Sequence, residues 1–250
     1  MEYKTAMIRL IWVSSLCSPQ PSEVIMFKNI HLFFVPEELN LLRAFNRKQL
    51  EFVDGFVENI DQHIETYTDK MFIQQWAGDE GEVVEVEKQH IAGISEDEYD
   101  FKDIFTSVMP MYQRQSMLLT AWSMFENEIK TYYSMLADKV GAVPIQRAKH
   151  SSDLAHIISC LQAIGVVSEP SERFTEAFNR LNNEVRFVRI DWVHNGGKAI
   201  KSKFVENTEG LTMNGSQIDI SVAYIEEVTD LMWVLSAEIT ESARASLSGN

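Results

Sequence analysis

The chain has 250 residues, 45 % of them hydrophobic and 24 % charged, with a formal net charge of −15. This is ample material for a buried core, and the acidic balance excludes a protein that coats nucleic acid through bulk charge. No apolar run reaches the roughly 20 residues that cross a bilayer, and two cysteines, Cys17 and Cys160, make neither a disulfide framework nor a metal-ligand spacing. The expected setting is a reduced, cytoplasmic compartment without membrane contact. Eleven glycines and six prolines are few, which favours long helices over a turn-rich β-fold.

Residues 1–35 begin with a fairly apolar run, Met7 to Leu16, that is interrupted by Arg9 and has no small-residue cleavage pattern. They read as a leader forming a strand or two on the body. Pro36 followed by Glu37 and Glu38 then marks a helix start. Val53, Val57, Ile60, Ile64, Tyr67 and Met71 recur at spacings of four and three, which extends that helix to Met71. Residues 77–103 carry ten acidic and two basic side chains together with Gly78, Gly81 and Gly93, the signature of a solvated connection. The first 99 residues are thus expected to hold a leader, a long helix and an acidic loop.

From residue 100 the pattern is that of a helical bundle. Pro110 begins or kinks a helix whose seam is Leu118, Trp122, Phe125, Ile129, Tyr132 and Leu136. A shorter helix runs from Ser151 or Ser152 to Gly165. Ser168, Pro170 and Glu172 open the next, with a seam of Phe174, Phe178, Leu181, Val185, Val188 and Trp192, closed by Asn195-Gly196-Gly197. Gly210 to Asp219 alternates polar and apolar residues about Asn214-Gly215, a hairpin signal. Val222, Ile225, Val228, Met232, Leu235 and Ile239 form the last seam. The fold class expected is all-α: an up-and-down bundle of long helices, with a small β-hairpin inserted before the last one, over residues 100–250.

Charge is uneven along this chain. Residues 180–203 hold Arg180, Arg186, Arg189, Lys198, Lys201 and Lys203 against Glu184 and Asp191. At 100° per residue, Arg189 lies at the edge of the buried seam and His194 lies opposite it, beside Phe187 and Ile190. A helix apolar on two faces is central in its bundle or shares one face with a second chain. Asp191, one turn before His194, and the C-terminal dipole favour the imidazolium, whereas Arg186, Arg189 and Lys198 oppose it and invite a phosphate. A proton-transferring histidine beside arginines suffices to cleave RNA without metal, because the 2′-hydroxyl supplies the nucleophile. The same residues also suit a helix cap and a solvated face.

The string Arg189-Ile-Asp-Trp-Val-His194, followed by Asn-Gly-Gly, resembles the Arg-x4–6-His motif of HEPN (higher eukaryotes and prokaryotes nucleotide-binding) domains. The resemblance covers roughly residues 100–243, including Ala121-Trp-Ser-Met-Phe-Glu-Asn-Glu128 and the final helix. It implies a helical bundle and a metal-independent endoribonuclease of phage defence or a toxin–antitoxin pair, acting as a homodimer in which two Arg/His pairs share a cleft. The partners it implies are RNA, such as tRNA or mRNA, and an antitoxin or defence protein. His194 would be the general acid/base, Arg189 would hold the scissile phosphate and Asp191 would orient or tune His194. Arg186, Asn195 and Lys198 would contact substrate.

Two positions depart from the family's pattern. Active members usually carry a polar residue where Ile190 stands, and members neutralised by a nucleotidyltransferase carry tyrosine where Gly196 stands. The alternative is therefore a non-catalytic HEPN-like module that binds nucleotide, RNA or protein. No phosphate loop, His-Glu-x-x-His, nucleophile elbow or cysteine–histidine metal set occurs, and His63, His90, His150 and His156 lack ligand spacing on one face. The expectation is accordingly no metal and no cofactor.

Overall fold

A computed structural model describes residues 36–73 and 81–248, which lie within one unit spanning Phe33–Asn250. The expected leader at 1–35 falls outside the described residues. Helix α1 (Pro36–Glu58) buries Leu39, Leu42 and Val53 against the long helices that follow. It stops well before Met71: a 3-10 turn at Ile60–His63 leads into strand β1 (Glu65–Ile73). Strand β2 (Glu82–Ile91) returns antiparallel to it, from Glu65 opposite His90 to Ile73 opposite Glu82, and the short β3 (Ile94–Ser95) pairs with the end of β2.

This three-stranded sheet, together with a second hairpin downstream, overturns the all-α class; the fold is mixed, mainly helical with two antiparallel sheets. The physical reason is a degenerate period. Tyr67 and Met71 are four apart, which is close to one helical turn and also two full strand repeats, so their spacing fits either conformation. Composition decides: Thr66, Tyr67, Thr68, Phe72 and Ile73 favour a pleated backbone, and Val84-Glu85-Val86-Glu87 alternates strictly. The acidic stretch is thus in large part a strand. At the base of the ribbon Lys88 bridges Asp97 at 2.5 Å and Asp69 at 3.0 Å. Those hydrogen bonds, Asp97's first, hold the ammonium above the usual lysine range, and Lys88 in turn lowers Asp69.

Beyond the ribbon, α2 (Phe101–Asp103), a π turn (Ile104–Val108) and α3 (Met109–Val140) run on as one helix. Asp100 caps the start by accepting from the Asp103 N–H. Pro110 sits inside this continuous run, just after the wider turn, which accommodates its ring and missing N–H. Leu118, Trp122, Phe125, Ile129, Tyr132 and Leu136 all point into the core. A left-handed Gly141 ends α3. Helix α4 (Asp153–Ala163) starts at Ser152, whose hydroxyl accepts from the Ala155 N–H, and α5 (Glu172–Arg180) starts at Ser171 in the same way.

Helix α5 continues through a π turn (Leu181–Val185) into α6 (Arg186–Asn195), and the buried seam Phe174, Leu181, Val185, Val188 and Trp192 is unbroken across the join. Strands β4 (Leu211–Asn214) and β5 (Gln217–Ile220) form the expected hairpin, but Asn214 pairs with Gln217. The two-residue loop is therefore Gly215-Ser216, one place later than expected, with Gly215 at φ +60°. Helix α7 (Val222–Ser248) closes the core with Ile225, Val228, Met232, Leu235 and Ile239.

Phe125 is 1 % exposed and packs against Trp122. Phe125→Ala is expected to lower stability by about 3–5 kcal/mol, read as a shifted urea midpoint with an unchanged slope.

Candidate functional site

Helix α6 carries five of the residues singled out by sequence, and the end of the helix is held by a single group. Asp191 is 0 % exposed. Its carboxylate accepts the backbone N–H of Lys201 at 2.8 Å, the backbone N–H of Ser202 at 2.8 Å and the Asn195 side-chain amide at 2.7 Å. Three donors around a buried carboxylate satisfy it without a cation. Asp191 and Asn195 thus form one cluster, turned inward onto the segment 198–202.

The turn after α6 is shaped by the same contacts. Gly196 and Gly197, at φ +61° and +80°, both direct N–H groups to the Asp191 carbonyl. A Cβ on Gly197 would stand 2.7 Å from the Trp192 ring, so no larger residue fits. The hairpin closes over this turn: the Ile218 N–H reaches the Gly197 carbonyl at 2.8 Å, and the Gln217 side chain reaches the Gly196 carbonyl at 3.0 Å. Lys198 is exposed, and its backbone bridges to Gln217.

The arginines divide into three kinds. Arg180 is neutralised by Glu227 and by Glu184, and the Tyr224 hydroxyl donates to Glu184 at 3.1 Å. Burial opposes the guanidinium's charge, but the hydrogen bonds from Glu227 and Glu184 outweigh it and raise the net affinity for the proton. Burial, with the Glu184 charge beside it, pushes the Tyr224 phenol far above its ordinary range. Arg186 is half-buried, donates through Nε to the Asn182 carbonyl at 2.8 Å and lies 4.2 Å over the Phe187 ring; burial lowers its pKa. Arg189 is also half-buried, yet among the described residues it has no hydrogen-bond or ion-pair partner.

His194 is exposed in the last turn of α6 and likewise has no partner among the described residues. It lies five positions after Arg189, which places the two about 140° apart around the helix and about 7.5 Å apart along it. Phe187 and Ile190, half-buried, and Val193, 47 % exposed, lie on the same outward side as His194.

The structure therefore separates the six residues named from sequence. Asp191 and Asn195 join the inward cap, Arg186 is partly engaged by its own helix, Lys198 stands on the exposed turn, and Arg189 and His194 remain uncommitted. Sequence reasoning counted Arg180 with the basic group; the i,i+4 spacing to Glu184 signalled its neutralisation, whereas Glu227, 47 residues away, gave no local sign. Among the described residues no group of three or more His, Cys, Asp or Glu side chains is placed to hold a metal ion. Among them, too, no helix is long and apolar enough to cross a membrane. No family model, curated protein or solved structure matches the chain.

Removing the inward carboxylate deprives the buried Ser202 N–H, and the part-buried Lys201 N–H and Asn195 amide, of their acceptor. Asp191→Ala is expected to cost about 3 kcal/mol in thermal or urea unfolding, whereas the exposed His194→Ala should stay within about 0.5 kcal/mol of wild type.

Proposed function

We propose that the protein is a metal-independent endoribonuclease of HEPN type that works as a pair of copies meeting across the outward side of α6. The observation that carries this reading is Arg189: a half-buried arginine without a carboxylate partner among the described residues, on a continuous helix where half-buried Arg180 has two carboxylates and half-buried Arg186 a backbone carbonyl. An unpaired, half-buried arginine calls for an anion, and a phosphodiester is the anion that a histidine in a cleft shared by two copies can act upon.

The chemistry needs few parts. His194 accepts the 2′-hydroxyl proton as that oxygen bonds to phosphorus. The bond from phosphorus to the 5′-oxygen breaks, and the leaving oxygen takes up a proton from the partner's imidazolium or from water. Products are a 2′,3′-cyclic phosphate and a 5′-hydroxyl. Arg189 stabilises the charge that gathers on the non-bridging oxygens. Lys198 supplies further positive charge to the RNA backbone, and Arg186, already over Phe187, supports the same strand. Asp191 and Asn195 act at one remove, by fixing the end of the helix that bears His194. Phe187, Ile190 and Val193 offer the apolar seam for the second copy, so that each cleft draws on both chains. Phage defence or a toxin–antitoxin pair is the setting proposed with this activity.

A second reading has its own observation. Ile190 lies between Arg189 and His194 on the outward side where active HEPN members are usually polar, which fits a module that holds RNA or nucleotide without cleaving it.

The test is cleavage of total RNA and tRNA by purified protein in EDTA. Wild type is expected to cut, leaving cyclic phosphate ends. His194→Ala should fall by about 10²–10⁴-fold and Arg189→Ala by about 10²–10³-fold, with circular dichroism unchanged. Cleavage undiminished in His194→Ala would overturn the site. Binding without cleavage by wild type, weakened in Arg189→Ala, would establish the second reading.

A further inference from the structure

The connection between α3 and α4 carries positive charge that the fold does not use. Residues 141–152 include Arg147, Lys149 and His150 and no acidic side chain. Arg147 serves the fold itself: it donates through Nε to the Ser151 carbonyl at 2.9 Å and pairs with Asp153. The Ser151 N–H returns to the Ala148 carbonyl at 3.1 Å, which closes a β-turn with Lys149 and His150 at its centre. His150 takes φ +68°, a left-handed position that glycine fills at less cost. Both central residues are exposed, and neither has a hydrogen-bond or ion-pair partner among the described residues.

This turn is joined to the start of α6. Ser152, two residues after His150, donates through its hydroxyl to the Asn182 side chain, and Arg186 donates to the Asn182 carbonyl at 2.8 Å. Asn182, Arg186 and Arg189 lie within about 60° of one another around the helix, in steps of about 6 and 4.5 Å along it. The exposed Asn183 accepts from Asn182 at 2.8 Å, and its own amide nitrogen has no partner among the described residues. A line of donors runs from Arg189 through Arg186 and Asn183 to the turn. The acids beside it are engaged: Asp153 by Lys130 and Arg147, Glu184 by Arg180 and the Tyr224 hydroxyl. Glu176, exposed and six residues before Asn182, marks where the line leaves the helix.

We propose that Lys149 and His150 form a second subsite for single-stranded RNA, holding the phosphodiester backbone a few nucleotides from the phosphate at Arg189. The subsite deepens the ribonuclease reading and rests on it for the place of the scissile phosphate. Charge identifies the occupant. In a chain of net charge −15, Lys149, Arg186 and Arg189 have no carboxylate partner among the described residues, which fits a polyanion. Steps of about one helical turn are of the order of the distance between successive phosphates in an extended strand, so the backbone can pass from Arg189 to Arg186 and on to the turn. The cations form a single line, which suits one strand better than a duplex.

Binding of a probe that cannot be cut separates this subsite from the chemistry. The probe is a fluorescent, fully 2′-O-methylated oligonucleotide of about ten nucleotides, titrated in EDTA over a series of salt concentrations. Lys149→Ala is expected to weaken binding about tenfold and to reduce the slope of log affinity against log salt by about 0.7. His150→Gly should also weaken binding while its unfolding midpoint stays level or rises, because glycine suits the left-handed turn. Lys48→Ala, an equal loss of charge on the exposed surface of α1, should change neither affinity nor slope. Wild-type affinity and slope in the Lys149→Ala/His150→Gly double variant would overturn the proposal, as would an equal loss in Lys48→Ala. Probe binding that depends on Lys149 in a protein that cuts no RNA would refute the nuclease and keep the subsite. Cutting by a protein whose binding ignores Lys149 would do the reverse.

Discussion

The end of α6 depends on one buried carboxylate. Asp191 meets two backbone N–H groups and one side-chain amide, and its own carbonyl takes the N–H groups of the two glycines that turn the chain. With those contacts in place the segment 198–202 is fastened under the helix terminus, and the hairpin β4–β5 can lie across the turn. Without them the last turn of α6, which carries the exposed His194, would be an ordinary frayed end. The carboxylate serves as a hub for backbone groups, a role that its sequence position three residues before the histidine does not disclose.

How far the sequence discloses the structure follows from the range of each interaction. The seams of α3, α6 and α7 are repeated local signals; residues such as Leu118, Val188 and Met232 recur at helical spacing and are buried as that spacing requires. The Asn195-Gly196-Gly197 stop and the second hairpin are likewise local, and only the hairpin's register moved by a residue. The ribbon β1–β2 was hidden because four-residue spacing fits both periodicities, and because counting the charges of 77–103 obscured the alternation of Val84 to Glu87. The inward turn of Asp191 and the neutralisation of Arg180 depend on partners 10 and 47 residues away, which no helical wheel includes.

The electrostatic layout of α5 and α6 can be described as one helix with two treatments of positive charge. Its first half is compensated within the fold, through Glu184, Glu227 and Tyr224. Its second half is not, and Arg189 remains half-buried without a partner among the described residues. In a protein of net charge −15, leaving such a cation uncompensated is a local choice, since carboxylates are abundant elsewhere. Bulk acidity discourages indiscriminate attachment to polyanions, so on the proposed ribonuclease reading binding would fall to the few cations that are placed.

The two hairpins differ in what a change of length would do. The short one is stitched to the α6 terminus through Gln217 and Ile218 of β5, so a residue gained or lost within that strand would shift them off the glycine carbonyls they meet. The long ribbon is joined to the body at its base, where Lys88 holds Asp69 and Asp97, and most of its side chains are exposed. Residues added or removed there in matched pairs would preserve strand register and the inward and outward faces alike. Length variation in this chain, whether acquired in evolution or engineered for an epitope, therefore belongs in the ribbon.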